Sequence, residues 1–239
     1  SNLRENKLNS LNARYLKISN NGDSNITPEY QVFNLKYTSL KSGVINHKKW
    51  FVDYQLSKEF SKISFSYEFR KLFKSNRELN IRLFSGYFIS NKNINNNYFD
   101  FSLDRPTDYL YDYNYYGRSE NNGFFSQQII MAEGGFKSKL ASSSTNNFIS
   151  TINLSSTLWK NLLIYVDLGV LNSKTNKSFK MVYDSGVRFN IIADYFEIYF
   201  PIKSSNGLEI KGPNYKEKIR FLFTFEPDVL LGLFRRKWY

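Results

Sequence analysis

Lys62-Ile63-Ser64-Phe65-Ser66-Tyr67-Glu68-Phe69-Arg70 is the stretch whose reading decides the fold of this 239-residue chain. Ile63, Phe65, Tyr67 and Phe69 alternate with Ser64, Ser66, Glu68 and Arg70. Successive side chains of a β-strand point to opposite faces, so this period of two builds one bulky apolar face and one small or charged face. The alternation returns along the chain. Phe179, Met181, Tyr183, Val187, Phe189 and Ile191 oppose Lys180, Asp184, Arg188 and Asn190. Leu162, Ile164, Val166, Leu168 and Val170 oppose Tyr165, Asp167 and Gly169, while Ile152, Leu154 and Leu158 oppose Thr151, Asn153, Ser155 and Thr157. Phe196, Ile198, Phe200 and Ile202 alternate with Glu197, Tyr199 and Lys203, and Ile219, Phe221, Phe223 and Phe225 with Lys218, Arg220 and Thr224.

Turn-forming clusters separate these runs, among them Asn20-Asn21-Gly22-Asp23, Lys74-Ser75-Asn76 and Ser204–Pro213. Strands are expected over 9–19, 28–40, 45–57, 60–73, 77–90, 98–104, 124–140, 147–159, 161–172, 178–192, 195–203 and 214–225, twelve in all, with ten as the alternative. Many are longer than ordinary soluble strands and suit a tilted membrane strand of about 9–11 residues. Short and long connections alternate in the second half, as tight turns and long outer loops do in a membrane barrel. The expected fold is all-β, an antiparallel up-and-down transmembrane β-barrel forming a single domain over 1–239. Within it, 98–123 is a Tyr-rich loop or plug and 227–239 a short amphipathic C-terminal tail. A soluble β-sandwich or lipocalin-like barrel also alternates, but would put the bulky rows inside and the charges outside.

Composition fits that reading. Phe, Tyr and Trp number 22, 18 and 3, and aromatic residues favour the lipid–water interface. A mean hydropathy of -0.47 does not argue against a barrel, where only every second strand residue faces lipid. No apolar run reaches the roughly 20 residues of a membrane helix. The chain opens Ser-Asn-Leu-Arg, which reads as a mature fragment or a domain of a longer polypeptide. With no Cys, disulfides and thiolate chemistry are excluded. The net charge of +12 suits anionic lipid or lipopolysaccharide. The basic residues are scattered along strands without a nucleic-acid-binding motif, so nucleic acid is not expected as a partner.

Catalytic candidates are few. His47 is the sole histidine, so an H-E-x-x-H zinc site is impossible in this chain, and no metal or cofactor is expected. Asp184 and Glu197 fall on adjacent expected strands and could form an acid–base pair, but Arg188 and Lys180 share their face, which favours an ion-pair network. Glu68, Arg70, Arg82, Asp167, Asp184, Arg188, Glu197 and Arg220 are the expected polar network of the lumen. Between Arg105 and Arg118, Asp108 accompanies Tyr109, Tyr111, Tyr113, Tyr115 and Tyr116, a cluster suited to plugging the lumen or stacking on sugars. In the tail, Phe234, Arg235, Arg236, Trp238 and Tyr239 read as an interfacial anchor.

Several stretches resemble the C-terminal region of gluzincin-type, aminopeptidase-like metallopeptidases of Bacteroidota. They are Phe99–Leu110, Tyr115–Ser119, Phe125–Ile130, Ala132–Lys137, Tyr183–Gly186, Asp194–Pro201, Gly232-Leu233-Phe234 and Trp238-Tyr239, and the resemblance spans residues 77–239. It implies a barrel-like region that follows a zinc peptidase half, in the bacterial outer membrane. No catalytic residue carries over, and this chain is expected not to be an enzyme. The expected function is a membrane anchor or scaffold, with outer-membrane lipid, lipopolysaccharide and a peptidase domain or other envelope protein as partners. The alternatives are a small channel for peptides or solutes and a soluble enzyme using a carboxylate pair.

Overall fold

The computed structural model describes residues 6–19, 29–43, 45–74, 77–92, 97–116, 122–174, 178–192 and 195–224. Arg118 and the tail residues Phe234, Arg235, Arg236, Trp238 and Tyr239 lie outside them. Strands form where the period of two runs. They are β1 (Asn6–Ile18), β2 (Tyr30–Ser42), β3 (Asn46–Ser57), β4 (Phe60–Leu72), β5 (Glu78–Asn91), β6 (Phe101–Ser102), β7 (Gln128–Ile129), β8 (Ser144–Thr145), β9 (Phe148–Trp159), β10 (Leu162–Asn172), β11 (Lys180–Ile192), β12 (Phe196–Ser204), β13 (Gly207–Leu208) and β14 (Arg220–Phe223). One sheet of twelve strands runs β1-β2-β3-β4-β5-β9-β10-β11-β12-β14-β7, with β13 on β12, while β6 and β8 pair separately. Every pairing is antiparallel except the two-residue parallel contact of β14 with β7.

The main sheet counts twelve strands, as expected, but its membership differs, because the expected strand 98–104 supplies only β6, outside that sheet, and the unexpected β13 is part of it. Neither 98–104 nor 124–140 is a long strand; they supply the two-residue pieces β6 and β7. The second stretch is broken by positive φ at Glu133 (46°) and Gly135 (68°), outside the extended region that a regular strand needs. The expected strand 214–225 shrinks to β14 because Tyr215–Lys218 winds into a helical turn, α1.

The sheet curls into a trough. Its connections at one end are short, at 43–45, 73–77, 160–161 and 193–195; the other end carries 19–29, 92–147, 173–179 and 205–219, besides the tight turn at 58–59. The segment 92–147 links neighbours β5 and β9 and folds back over the concave face. Side chains of strands that are not sheet neighbours meet there, Arg188 of β11 with Glu78 of β5.

The convex face carries the apolar rows. Ile63, Phe65, Leu83, Ile164, Val166, Leu168, Met181 and Phe189 are all exposed, Met181 to 80%. The concave face is polar near the short turns but aromatic near the long loops. There Tyr30, Val32, Phe60, Phe84 and Phe88 form a core with Phe99, Phe101, Leu103, Tyr109, Leu110 and Phe136 of the folded-back segment. Ser66, which faces away from the outer aromatic row, is fully buried between its register partners Phe51 and Phe84. Ser64, one rung away, borders open interior space instead.

The sheet is not closed into a barrel. Among the described residues β1 pairs only with β2, and β7 occupies the far edge of β14. The gap between them is bridged by the folded-back segment. Asp112 binds Arg14 of β1 at 2.5 Å, the Tyr116 N–H donates to Gln128 of β7 at 2.7 Å, and Phe124 stacks on Phe221 of β14 with ring centroids 4.7 Å apart. No described helix is long and apolar enough to cross a membrane.

Gly186 fixes the spacing of β10, β11 and β12. A Cβ there would lie 2.2 Å from the Phe200 carbonyl oxygen and 2.7 Å from the Tyr165 hydroxyl. Gly186→Ala is therefore expected to lower stability by about 1–3 kcal/mol, read as a shifted denaturation midpoint. An unchanged midpoint would mean that the strand spacing yields.

Candidate functional site

One rung of inward side chains crosses seven strands. Lys49, Glu68, Arg82, Asn153, Asp167, Asp184 and Ser204 are successive register partners from β3 to β12. Asp167 and Asp184 stand directly opposite each other, both with zero exposure. Like charges so placed repel, and burial sharpens the repulsion. The folded-back segment supplies the compensation. Lys137 Nζ donates to both Asp167 oxygens at 2.9 Å. The backbone N–H groups of Lys137 and Ser138 donate to Asp184 at 3.0 and 2.8 Å, and the Ser138 hydroxyl donates at 2.9 Å. Asn153 donates to Asp167 and to the Gly134 carbonyl, each at 3.0 Å. Arg220 closes the cluster on the Lys137 carbonyl at 3.2 Å.

Nearer the short turns a second group surrounds Arg188, which pairs with Glu78 and lies 3.6 Å from Glu197. Arg70 reaches Glu78 at 3.0 Å. Arg82 lies 3.7 Å from Glu68 and donates to the Glu133 carbonyl at 2.6 Å and to Asn153 at 3.0 Å. All eight expected lumen residues thus lie on the concave face. Asp184 and Glu197 do not form a couple, because Asp184 holds the folded-back segment and Glu197 accepts from Tyr199 at 2.5 Å. His47 sits near the short turns, 3.4 Å from the Ser42 hydroxyl, and no group of three potential metal ligands occurs among the described residues.

Near the long loops the Tyr-rich segment enters the interior. Tyr109 is buried; its hydroxyl donates to Gln55, and its carbonyl accepts from Tyr30 at 2.5 Å. Asp108, at φ 53°, accepts from the backbone N–H groups of Asp112 and Tyr113 at 2.8 and 3.1 Å and so makes the local turn. Arg105 lies over the Tyr115 ring at 4.8 Å. Tyr111 and Tyr116 are exposed. Lys62 donates to the Phe99 carbonyl at 2.8 Å and sits 4.4 Å from the Phe101 ring centre. Two acids of the segment share this region. Burial raises the carboxyl pKa of Glu133, opposed chiefly by Lys62. Burial also pushes Asp100 up to about 6, against the pull of Lys62.

Sequence reasoning missed Lys137, Glu78, Glu133 and Lys62. Lys137 and Glu133 belong to an irregular segment, where no period marks a side chain as inward. Lys62 and Glu78 stand at the beginnings of alternating runs, where the face is least defined.

Removing one partner of a buried ion pair strands the other, so Asp167→Asn is expected to destabilise by about 3–5 kcal/mol. Adding Lys137→Met should recover part of the loss in a double-mutant cycle by chemical denaturation; strict additivity would refute the coupling. Asp100 has a folded pKa above its unfolded value, so its neutral form favours folding, and its contribution is lost as pH rises from about 4 through 6. Asp100→Asn should therefore raise the melting temperature at pH 8 and leave it unchanged at pH 4. No protein-family model, no curated protein and no solved structure matches this chain.

Proposed function

We propose that this chain is the wall and plug of an outer-membrane β-barrel that anchors rather than conducts. The observation that carries the reading is the division of faces. Large apolar side chains cover the convex side, while buried ion pairs and a folded-back segment fill the concave side. In water such a convex face is a liability, since apolar patches above a few hundred Å² mark contact surfaces. In a bilayer it is the expected lipid belt, with the polar side lumenal. The plug reaches the wall from β1 to β14, through Asp112, Lys137 and β7, which favours a closed interior.

Residence in hydrocarbon also requires the open edge of β1 to be satisfied, because each unpaired backbone group there costs several kcal/mol. Pairing between β1 and the β14 side of the seam would meet that requirement and complete the barrel. Lipid and lipopolysaccharide are then the immediate partners. On the resemblance of 77–239 to the C-terminal region of gluzincin-type peptidases, the anchored partner is a peptidase half or another envelope protein. A small channel for peptides or solutes is the second reading. It is favoured by two interior cavities of about 390 and 430 Å³ that share Lys49, Glu68, Arg82 and Met131 on their walls.

The purified chain is expected to migrate differently on a mild-detergent gel before and after boiling, and to stay electrically silent in a planar bilayer. Steady single-channel steps would establish the channel instead, and recovery without detergent with no gel shift would refute the membrane reading. Phe65→Asp, on the convex face, should impair insertion, whereas Ser64→Asp should insert normally; the reverse order would mean that the faces are inverted.

A further inference from the structure

We infer that the interior cavity at the short-turn end is a binding site for a small organic molecule bearing carboxylates. The inference rests on the lumen-and-plug reading above and adds a ligand to it. The cavity measures about 430 Å³, within the roughly 300–1,000 Å³ of small-molecule sites. Its wall is cationic: Lys49, Arg70, Arg82, Lys137 and Arg188 line it, and Glu68 is the only carboxylate there among the described residues. The acids that neutralise three of these cations stand behind them. Glu78 holds Arg70 and Arg188, Glu197 lies beside Arg188, and Asp167 holds Lys137, yet none of the three is on the cavity wall. Carboxylates so placed fix the direction of Arg188 and Lys137 while keeping their own charge off the wall, and planar guanidinium groups are suited to carboxylates.

Two further observations point the same way. Lys49 has no carboxylate within 4.0 Å among the described residues, although it stands beside Glu68 in the register. Three groups on the wall, Arg82 Nε, Arg188 Nε and the Tyr165 hydroxyl, are buried without a hydrogen-bond partner among the described residues. Buried donors left so are costly, and an acceptor-rich occupant relieves the imbalance.

The test is calorimetric titration of the detergent-solubilised full chain with citrate and, separately, with inorganic phosphate. Citrate should bind saturably at one site and raise the melting temperature, with phosphate at least tenfold weaker. Lys49→Gln, which breaks no ion pair, should weaken citrate binding at least tenfold while leaving the denaturation midpoint in place. A cavity that is merely hydrated gives no saturable heat, and that result overturns the site. Phosphate binding as tight as citrate overturns the carboxylate class, and an unaltered Lys49→Gln affinity overturns the location. The gel shift separates this inference from the membrane reading: a heat-modifiable chain that takes up no citrate refutes the site alone, and a citrate-binding chain with no shift refutes the barrel alone.

Discussion

Two aspartates face each other in the buried interior of this sheet, and the rest of the structure answers to that repulsion. Asp167 and Asp184 belong to neighbouring strands and share a rung, so pairing β10 with β11 alone would bring two desolvated like charges together. Lys137 and two backbone N–H groups, all from the segment between β5 and β9, make the pairing tolerable. The wall therefore depends on the plug. The dependence runs the other way too, because a segment with left-handed residues and scant secondary structure of its own needs fixed acceptors to define its path. Buried ion pairs are weak sources of net stability but can select one arrangement among many. Here the arrangement selected is the docking of an irregular segment onto a regular sheet.

The interior is built in two layers that use different physics. Near the long loops, aromatic rings from β2, β4 and β5 enclose Phe99, Phe101 and Tyr109, and Lys62 is enclosed among rings and donates a hydrogen bond to the Phe99 carbonyl. Near the short turns the contacts are ionic, and open space persists between them. The aromatic layer packs ring against ring in the manner of a globular core. The lower layer satisfies its groups pairwise and leaves room.

The strands themselves were legible in the sequence wherever the alternation was sustained, and the orientation of faces followed from chemistry. Ile63, Phe65, Leu168 and Met181 lie outward, and the eight ionisable residues assigned to the interior lie inward. What the period could not show is which inward positions meet the plug. Phe60, Phe84 and Phe88 alternate as regularly as the outward residues, yet they pack against Phe99 and Phe101. The alternation within Phe99-Asp100-Phe101-Ser102-Leu103 likewise read as a wall strand, because a short run has no marker of whether its partner is sheet or loop. Lys137, the cation at the centre of the ionic cluster, lies in a glycine-bounded loop where periodicity has nothing to say.

The plug is spliced between β5 and β9, which are immediate neighbours in the sheet. Both of its ends are consequently moored to the same stretch of wall, a few ångströms apart, and the loop closes on itself. Its length adds little entropic penalty, since the cost of loop closure grows only with the logarithm of length. The tether has a mechanical consequence. A plug moored this way has no route to leave as a separate body, so any widening of the interior has to come from a hinge-like swing about that one seam.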